Sequence, residues 1–170
     1  IGLDVKYLDK LIKQLEPEIK DLETEIYKLA GKEFNINSPK QIAEVLFSDL
    51  AIDTHGLAKT SVNRTISTNS NELEKIKTVH PIVDNILRYR ELTKLVTGFI
   101  TPLPTYLGSD NKIHAIFQQT GTATGRLSSD SPNLQNIPIK KDYGSLIRAS
   151  FIPSDGYSFV SFDYSQMELR

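Results

Sequence analysis

The sequence predicts an α+β protein: a helical hairpin over residues 1–98, then the first strands of an antiparallel sheet over 99–170, in a domain left incomplete at its end. Three observations carry this. Apolar residues recur in alternating steps of three and four from Val5 to Leu29, the spacing of one face of a helix. Two pairs, Ser38-Pro39 and His80-Pro81, stand at the heads of further apolar-periodic runs. Beyond Gly98 the texture changes to short β-prone stretches separated by turn residues.

The first helix places Val5, Leu8, Ile12, Leu15, Ile19, Leu22, Ile26 and Leu29 on one seam, with Lys and Glu on the opposite face. Pro17 lacks an N–H and crowds the preceding turn, so a kink or break is expected there. Gly31 fits a C-cap. At the second helix Ser38 is the expected N-cap, Pro39 the first helical residue and Gln41 the partner in a capping box. Ile42, Val45, Leu46 and Leu50 should face inward. Residues 51–69 lack periodicity and are rich in Thr, Ser and Asn, which predicts an exposed, mobile loop carrying Lys59 and Arg64. A short helix follows, capped by Asn69 with Glu72 three residues on. The next starts at His80-Pro81 and runs to about Thr97, burying Ile82, Val83, Ile86, Leu87, Leu95 and Val96, with Gly98 and Pro102 ending it.

In the second half, 108–111 reads as a turn, Ile113–Gln118 as a strand, and a second β-prone stretch reaches about Thr124. Residues 128–138 are polar and proline-punctuated, hence a loop. Leu146, Ile147 and Phe151 indicate a short helix or turn. Tyr157–Phe162 reads as a strand buried on both faces. Ser165 would then cap a helix starting at Gln166, and the chain stops one turn into it.

Composition narrows the class. Hydrophobic residues make up 39% of 170, enough for a core rather than a disordered chain. No apolar run approaches the roughly 18 residues of a membrane span. The N-terminus has neither a signal-peptide pattern nor a Met, and reads as part of something longer. With no cysteine, disulfides and thiolate metal sites are excluded, which fits a reducing compartment. His55, His80 and His114 have no ligand spacing. Net charge is −1, yet residues 86–148 hold eight basic residues against four acidic ones. A polyanion could bind there, although ordinary local variation accounts for the same imbalance.

Asp163 follows the apolar stretch. A carboxylate at the end of a buried strand is costly to desolvate without a partner. A hard divalent cation such as Mg²⁺ is one such partner; the alternative is that Asp163 caps the helix after it. Arg126 sits beside Gly125 in a tight turn. Held there, its fork can meet the minor-groove acceptors that every correct base pair presents. Asn133, Gln135 and Asn136 offer amides that suit phosphates and base edges, and equally suit a turn-forming loop.

Two strings, TATGRLSSDSPNLQNIPIK at 122–140 and SFDYSQMELR at 161–170, resemble signatures of family A DNA polymerases, of the bacterial DNA polymerase I type. The second is similar to that family's motif A, usually DYSQIELR. The first is similar to the primer-contacting segment ahead of it. LAGKEFNINSPKQIAEVLF at 29–47 and HPIVDNILRYRELTKL at 80–95 resemble the family's thumb. The resemblance spans nearly the whole chain and implies a thumb over 1–98, with a tip loop at 51–69, and the N-terminal part of a palm over 99–170.

What the resemblance implies is part of a template-directed DNA polymerase, active in replication and repair, which extends a primer 3′ end by two-metal phosphoryl transfer. Asp163 and the Tyr164 backbone carbonyl would bind Mg²⁺, two ions in the complete enzyme. Gln166, Met167 and Glu168 would bind the incoming nucleotide, with Glu168 occupying the space of a 2′-hydroxyl. Arg126, Ser128, Asn133, Gln135, Asn136 and Lys140 would meet primer and template. Arg90, Lys94, Lys59 and Arg64 would grip the duplex backbone. Met167 stands in place of the usual Ile, Lys140 in place of Arg, and Val96 in place of a common Lys. Lys140 keeps the charge but loses the bidentate fork. The usual SSSDP order is here Ser128-Ser129-Asp130-Ser131-Pro132.

Implied partners are primer-template DNA, a deoxynucleoside triphosphate and the remaining fingers and palm, on the same or a second polypeptide, with no membrane. The implied location is cytoplasmic, at the nucleoid, with an organelle as the alternative. The chain alone is expected to be inactive, since one carboxylate does not hold two metals. Competing readings are a non-catalytic DNA-binding fragment, one subunit of a split polymerase, or a coiled-coil scaffold on the 5–29 seam, against which Pro17 counts.

Overall fold

The computed structural model describes residues 1–60, 65–138 and 143–166. The chain divides into two compact units, Lys10–Gly98 and Ile1–Asp9 with Phe99–Arg170. The fold is α+β, with helices and two small antiparallel sheets.

The first unit is helical. Helix α1 (Val5–Ala30) contributes Lys10–Ala30 and continues through Pro17, so of the kink or break expected there the break does not occur. An interior proline costs about 3 kcal/mol. Here Pro17 is exposed, so the Lys13 carbonyl it deprives of a partner lies on the solvent side. Burying Leu11, Leu15 and Ile26, at about 1.5–3 kcal/mol each, outweighs that cost. The buried line passes through Leu11, while Ile12 is only partly covered.

Helix α2 (Pro39–Ala43) opens as predicted, with Ser38 Oγ accepting from the Gln41 amide at 3.4 Å. The capping box does not close. Gln41 Oε1 instead accepts from the Asn35 amide at 2.6 Å, so the side chain fastens the preceding turn. The helix continues as π-helical turns over Glu44–Asp49. Helix α3 (Ser70–Lys75) is capped by Asn69 Oδ1, which accepts from the Glu72 amide at 2.9 Å. Helix α4 (Pro81–Leu95) is capped by His80 Nδ1, which accepts from Ile82.

The buried face of α4 holds Ile82, Val83, Ile86, Tyr89, Leu92 and Leu95, whereas Leu87 and Val96 are only partly covered. Gly98 does not end it. π-helical turns carry it through Val96–Ile100. One core joins Ile26 of α1, Ile42, Val45 and Leu46, Leu73 of α3, and Ile82 and Ile86 of α4. The described part of 51–69 is not a free loop: Ile52 and Thr68 are buried, and Lys59 bridges Ile66 in a short antiparallel ladder.

In the second unit β1 (Gly2–Leu3) pairs antiparallel with β4 (Phe151–Ile152), just after helix α5 (Tyr143–Ala149). The opposite side of β1 meets Lys112–Ile113, with the Ile113 amide donating to the Ile1 carbonyl at 2.8 Å. A Cβ on Gly2 would stand 2.9 Å from the Ile152 carbonyl oxygen, so this crowded pairing requires glycine. The turn at 108–111 forms, with Asn111 at φ 57.

The second sheet pairs β2 (Ile116–Gln118) with β3 (Ser128–Asp130), in register Phe117 with Ser129. Its second strand lies where a loop was expected, and the stretch before Thr124 is turn rather than strand. Buried Ser129 explains the shift: its hydroxyl donates to the Pro132 carbonyl and accepts from the Leu134 amide, so this polar run holds its own turn. Tyr157–Phe162 forms no strand, and Phe159, Val160 and Phe162 are exposed. Gln166 stands at a φ of 58, in the left-handed region, and the rest of the helix expected from it lies outside the described residues.

Candidate nucleic-acid interface

On the second unit the candidate residues gather around the β2–β3 hairpin. Gly125, at φ 74, makes the turn before Arg126. Thr122 Oγ1 donates to the Arg126 carbonyl at 2.7 Å, which fixes the backbone and leaves the guanidinium side exposed. Across the hairpin a Cβ at Gly121 would lie 2.5 Å from Ser128 Oγ, so the two sides of the loop nearly touch. Ser128 is therefore held against the loop.

Asn133 and Gln135 take the turn-forming role, one of the two that their amides suit. Asn133 Oδ1 caps the 3₁₀ turn Leu134–Asn136, accepting from the Gln135 amide at 3.1 Å. Gln135 Nε2 donates to the Leu127 carbonyl at 3.1 Å, next to Arg126. These amides build the platform under the arginine, although each keeps one N–H or more for another acceptor. Asn136 is exposed.

On the helical unit a groove of about 1200 Å³ runs between α2, the ladder and α4. Lys40, Lys59 and Arg90 line it, with one acid, Glu44, and several hydroxyls. Arg90 is half-buried, and that burial holds its pKa below the usual guanidinium value. Its Nη1 donates to the Thr68 carbonyl, so part of the fork ties down the chain leaving the ladder. Lys94, one turn on, is exposed and does not line the groove. Sequence reasoning missed two features. Lys40 lacked any signal beyond its place in a helix. Glu72 looked like a capping partner, yet it is buried and faces Ala58.

Asp163 and Tyr164 lie in an exposed segment, so Asp163 is not the end of a buried strand. Among the described residues no three His, Asp or Glu side chains are grouped to hold a metal. Arg64, Lys140, Met167 and Glu168 lie outside the described residues. No helix among the described residues is long and apolar enough to cross a membrane.

Cations on a groove in one unit and an exposed arginine on a braced hairpin in the other define surfaces suited to a phosphate backbone. The chain belongs to DNA polymerase family A, whose sequence model matches residues 5–170. It is 47% identical to the thermostable DNA polymerase I of Thermus thermophilus, over all of this chain and 20% of that protein. It is 48% identical to DNA polymerase I of Helicobacter pylori (strain ATCC 700392 / 26695), over 99% of this chain and 18% of that one. Among solved structures, it matches the POL domain of Pol1 from M. smegmatis in complex with DNA primer-template and dNTP. That match has a TM-score of 0.81 and 37% identity, covering 93% of this chain and 27% of the other. The chain thus spans about a fifth of the length of the curated relatives it matches.

Proposed function

We propose that the protein to which this chain belongs is a template-directed DNA polymerase that adds deoxynucleotides to a primer 3′ end. The observation that carries this is similarity over essentially the whole of this chain, the SFDYSQMELR stretch included, to about a fifth of the length of proteins named DNA polymerase I. Residues 1–98 are the thumb, with its tip at 51–69, and 99–170 the start of the palm. Lys59, Arg64, Arg90 and Lys94 grip the duplex backbone, where each phosphate neutralised adds salt-sensitive affinity. Arg126 reads the primer terminus, braced by Ser128, Asn133 and Gln135, while Asn136 and Lys140 meet the strand beyond. Gln166, Met167 and Glu168 face the nucleotide.

Asp163 and the Tyr164 carbonyl contribute ligands for Mg²⁺. One carboxylate does not make a metal site, so further ligands must come from elsewhere in the polymerase. When bound, the two ions supply an activated primer hydroxyl and a stabilised leaving phosphate. The 170-residue chain alone binds duplex weakly and incorporates nothing.

The test is primer extension by the full-length polymerase carrying Asp163→Asn, beside a primer-template binding assay. Incorporation should be abolished while binding persists. Extension at the wild-type rate would refute the role of Asp163, and robust extension by the 170-residue chain would refute its inactivity.

A further inference from the structure

Glu72 is a buried carboxylate with no part in the functions described so far. As the third residue after the Asn69 cap it should reach back to the Asn69 amide. That amide instead donates to Ser67 Oγ at 3.4 Å. Glu72 turns the other way, and its Oε2 accepts from the Ala58 amide at 2.8 Å. Lys75 Nζ donates to both carboxylate oxygens, at 2.9 and 2.8 Å, and to the Gly56 carbonyl at 3.4 Å. A desolvated carboxylate is unfavourable unless paired, and here it is satisfied from both sides in sequence, by Ala58 fourteen residues before it and Lys75 three after it.

The effect is mechanical. Ala58 and Ser67 are paired across the ladder, with the Ser67 amide donating to the Ala58 carbonyl at 2.9 Å. Glu72 holds the incoming side at Ala58, and Arg90 holds the outgoing side through the Thr68 carbonyl. Lys59, next to the held Ala58, lines the cationic groove. Lys75 also cancels the charge that Glu72 would otherwise set against a polyanion. The carboxyl stays below the usual carboxylate range because of Lys75 and the Ala58 N–H, so it is ionised at neutral pH.

We propose that Glu72 is a positioning residue: it fastens the ladder so that Lys59 is presented over the groove to the phosphodiester backbone of a bound duplex. This rests on the DNA-gripping role proposed above for the helical unit.

A double-mutant cycle on the 170-residue chain tests it, using anisotropy of a fluorescein-labelled primer-template at low salt. Glu72→Ala should weaken binding about fivefold to tenfold. Lys59→Ala should weaken it similarly and flatten the salt dependence. In the Lys59→Ala background Glu72→Ala should add little, because the side chain it positions is gone. Glu72→Gln, which keeps an acceptor for the Ala58 amide, should recover most of the affinity.

Equal costs of Glu72→Ala in the two backgrounds, or wild-type binding by that variant, would overturn the proposal alone. A wild-type chain that binds no duplex would instead overturn the gripping role, and this inference with it. Should Glu72→Ala not fold, hydrogen exchange decides: the Ala58 amide must be protected in the wild type and remain so in Glu72→Gln. Free exchange in the wild type would overturn the clamp.

Discussion

Residues 42–46 and residues 157–162 are both short, strongly apolar runs, and they meet opposite fates. Ile42, Val45 and Leu46 are at most 1% exposed, at the centre of the helical core. Phe159, Val160 and Phe162 are 58%, 71% and 93% exposed. Hydropathy alone does not separate them. The difference lies in where the backbone finds its hydrogen bonds. A helix satisfies its own N–H and C=O groups, so a capped apolar segment needs only a surface to pack on. A strand draws its bonds from another strand, and β propensity becomes structure only where a neighbour lies alongside.

The largest effect should come from hollowing the helical core. Leu46→Ala or Ile82→Ala should destabilise the helical unit by about 2–5 kcal/mol in urea unfolding. Phe162→Ala should change stability by less than about 0.5 kcal/mol. A comparable loss from Phe162→Ala would break the contrast, because it would mean that side chain is packed after all.

Next, Gly2→Ala drives a methyl against the Ile152 carbonyl, and should cost about 1–3 kcal/mol. The loss should appear as early exchange of the β1–β4 amides, while the helical unit keeps its protection. Smaller again, Asn69→Ala removes the cap of α3 and should cost about 1 kcal/mol. Its signature would be fraying limited to Ser70–Lys75.

The smallest effect concerns pH. Burial, then the hydrogen bond and charge of Glu23, push the Tyr27 hydroxyl from 10.0 to about 12. A phenol whose pKa rises on folding stabilises the fold fully below its unfolded pKa. That contribution fades as pH rises through the folded value. Between pH 10 and 12 the wild type should therefore lose stability faster than Tyr27→Phe; parallel curves would show that the hydroxyl is not held by the fold.

What was legible in the sequence follows the same division. Ser38, Asn69 and His80 announced three helix starts correctly, because a cap is a contact over two or three residues. That the helix carries on through Pro17 without a break was not legible, because the local cost of the proline is set against burial contributed by distant residues. Strand β3 was missed because its anchor, buried Ser129, looks like any other serine in a polar run. At the candidate interface Arg126 could be picked out by its glycine and its neighbours. The bracing by Gln135 and the tie from Arg90 to Thr68 join residues 8 and 22 apart, and no local pattern encodes them.

The ammonium of Lys75 has one further consequence, a chemical one. Its three protons meet three acceptors, the two oxygens of Glu72 and the Gly56 carbonyl. An amine must shed a proton and turn its lone pair outward before it attacks an acylating reagent, and here that means giving up at least one of the three contacts. Exposed Lys59 and Lys94 carry no such burden. Amine-selective labelling would thus mark those two first, and the delay at Lys75 would time the opening of the chain around Gly56 without any engineered reporter.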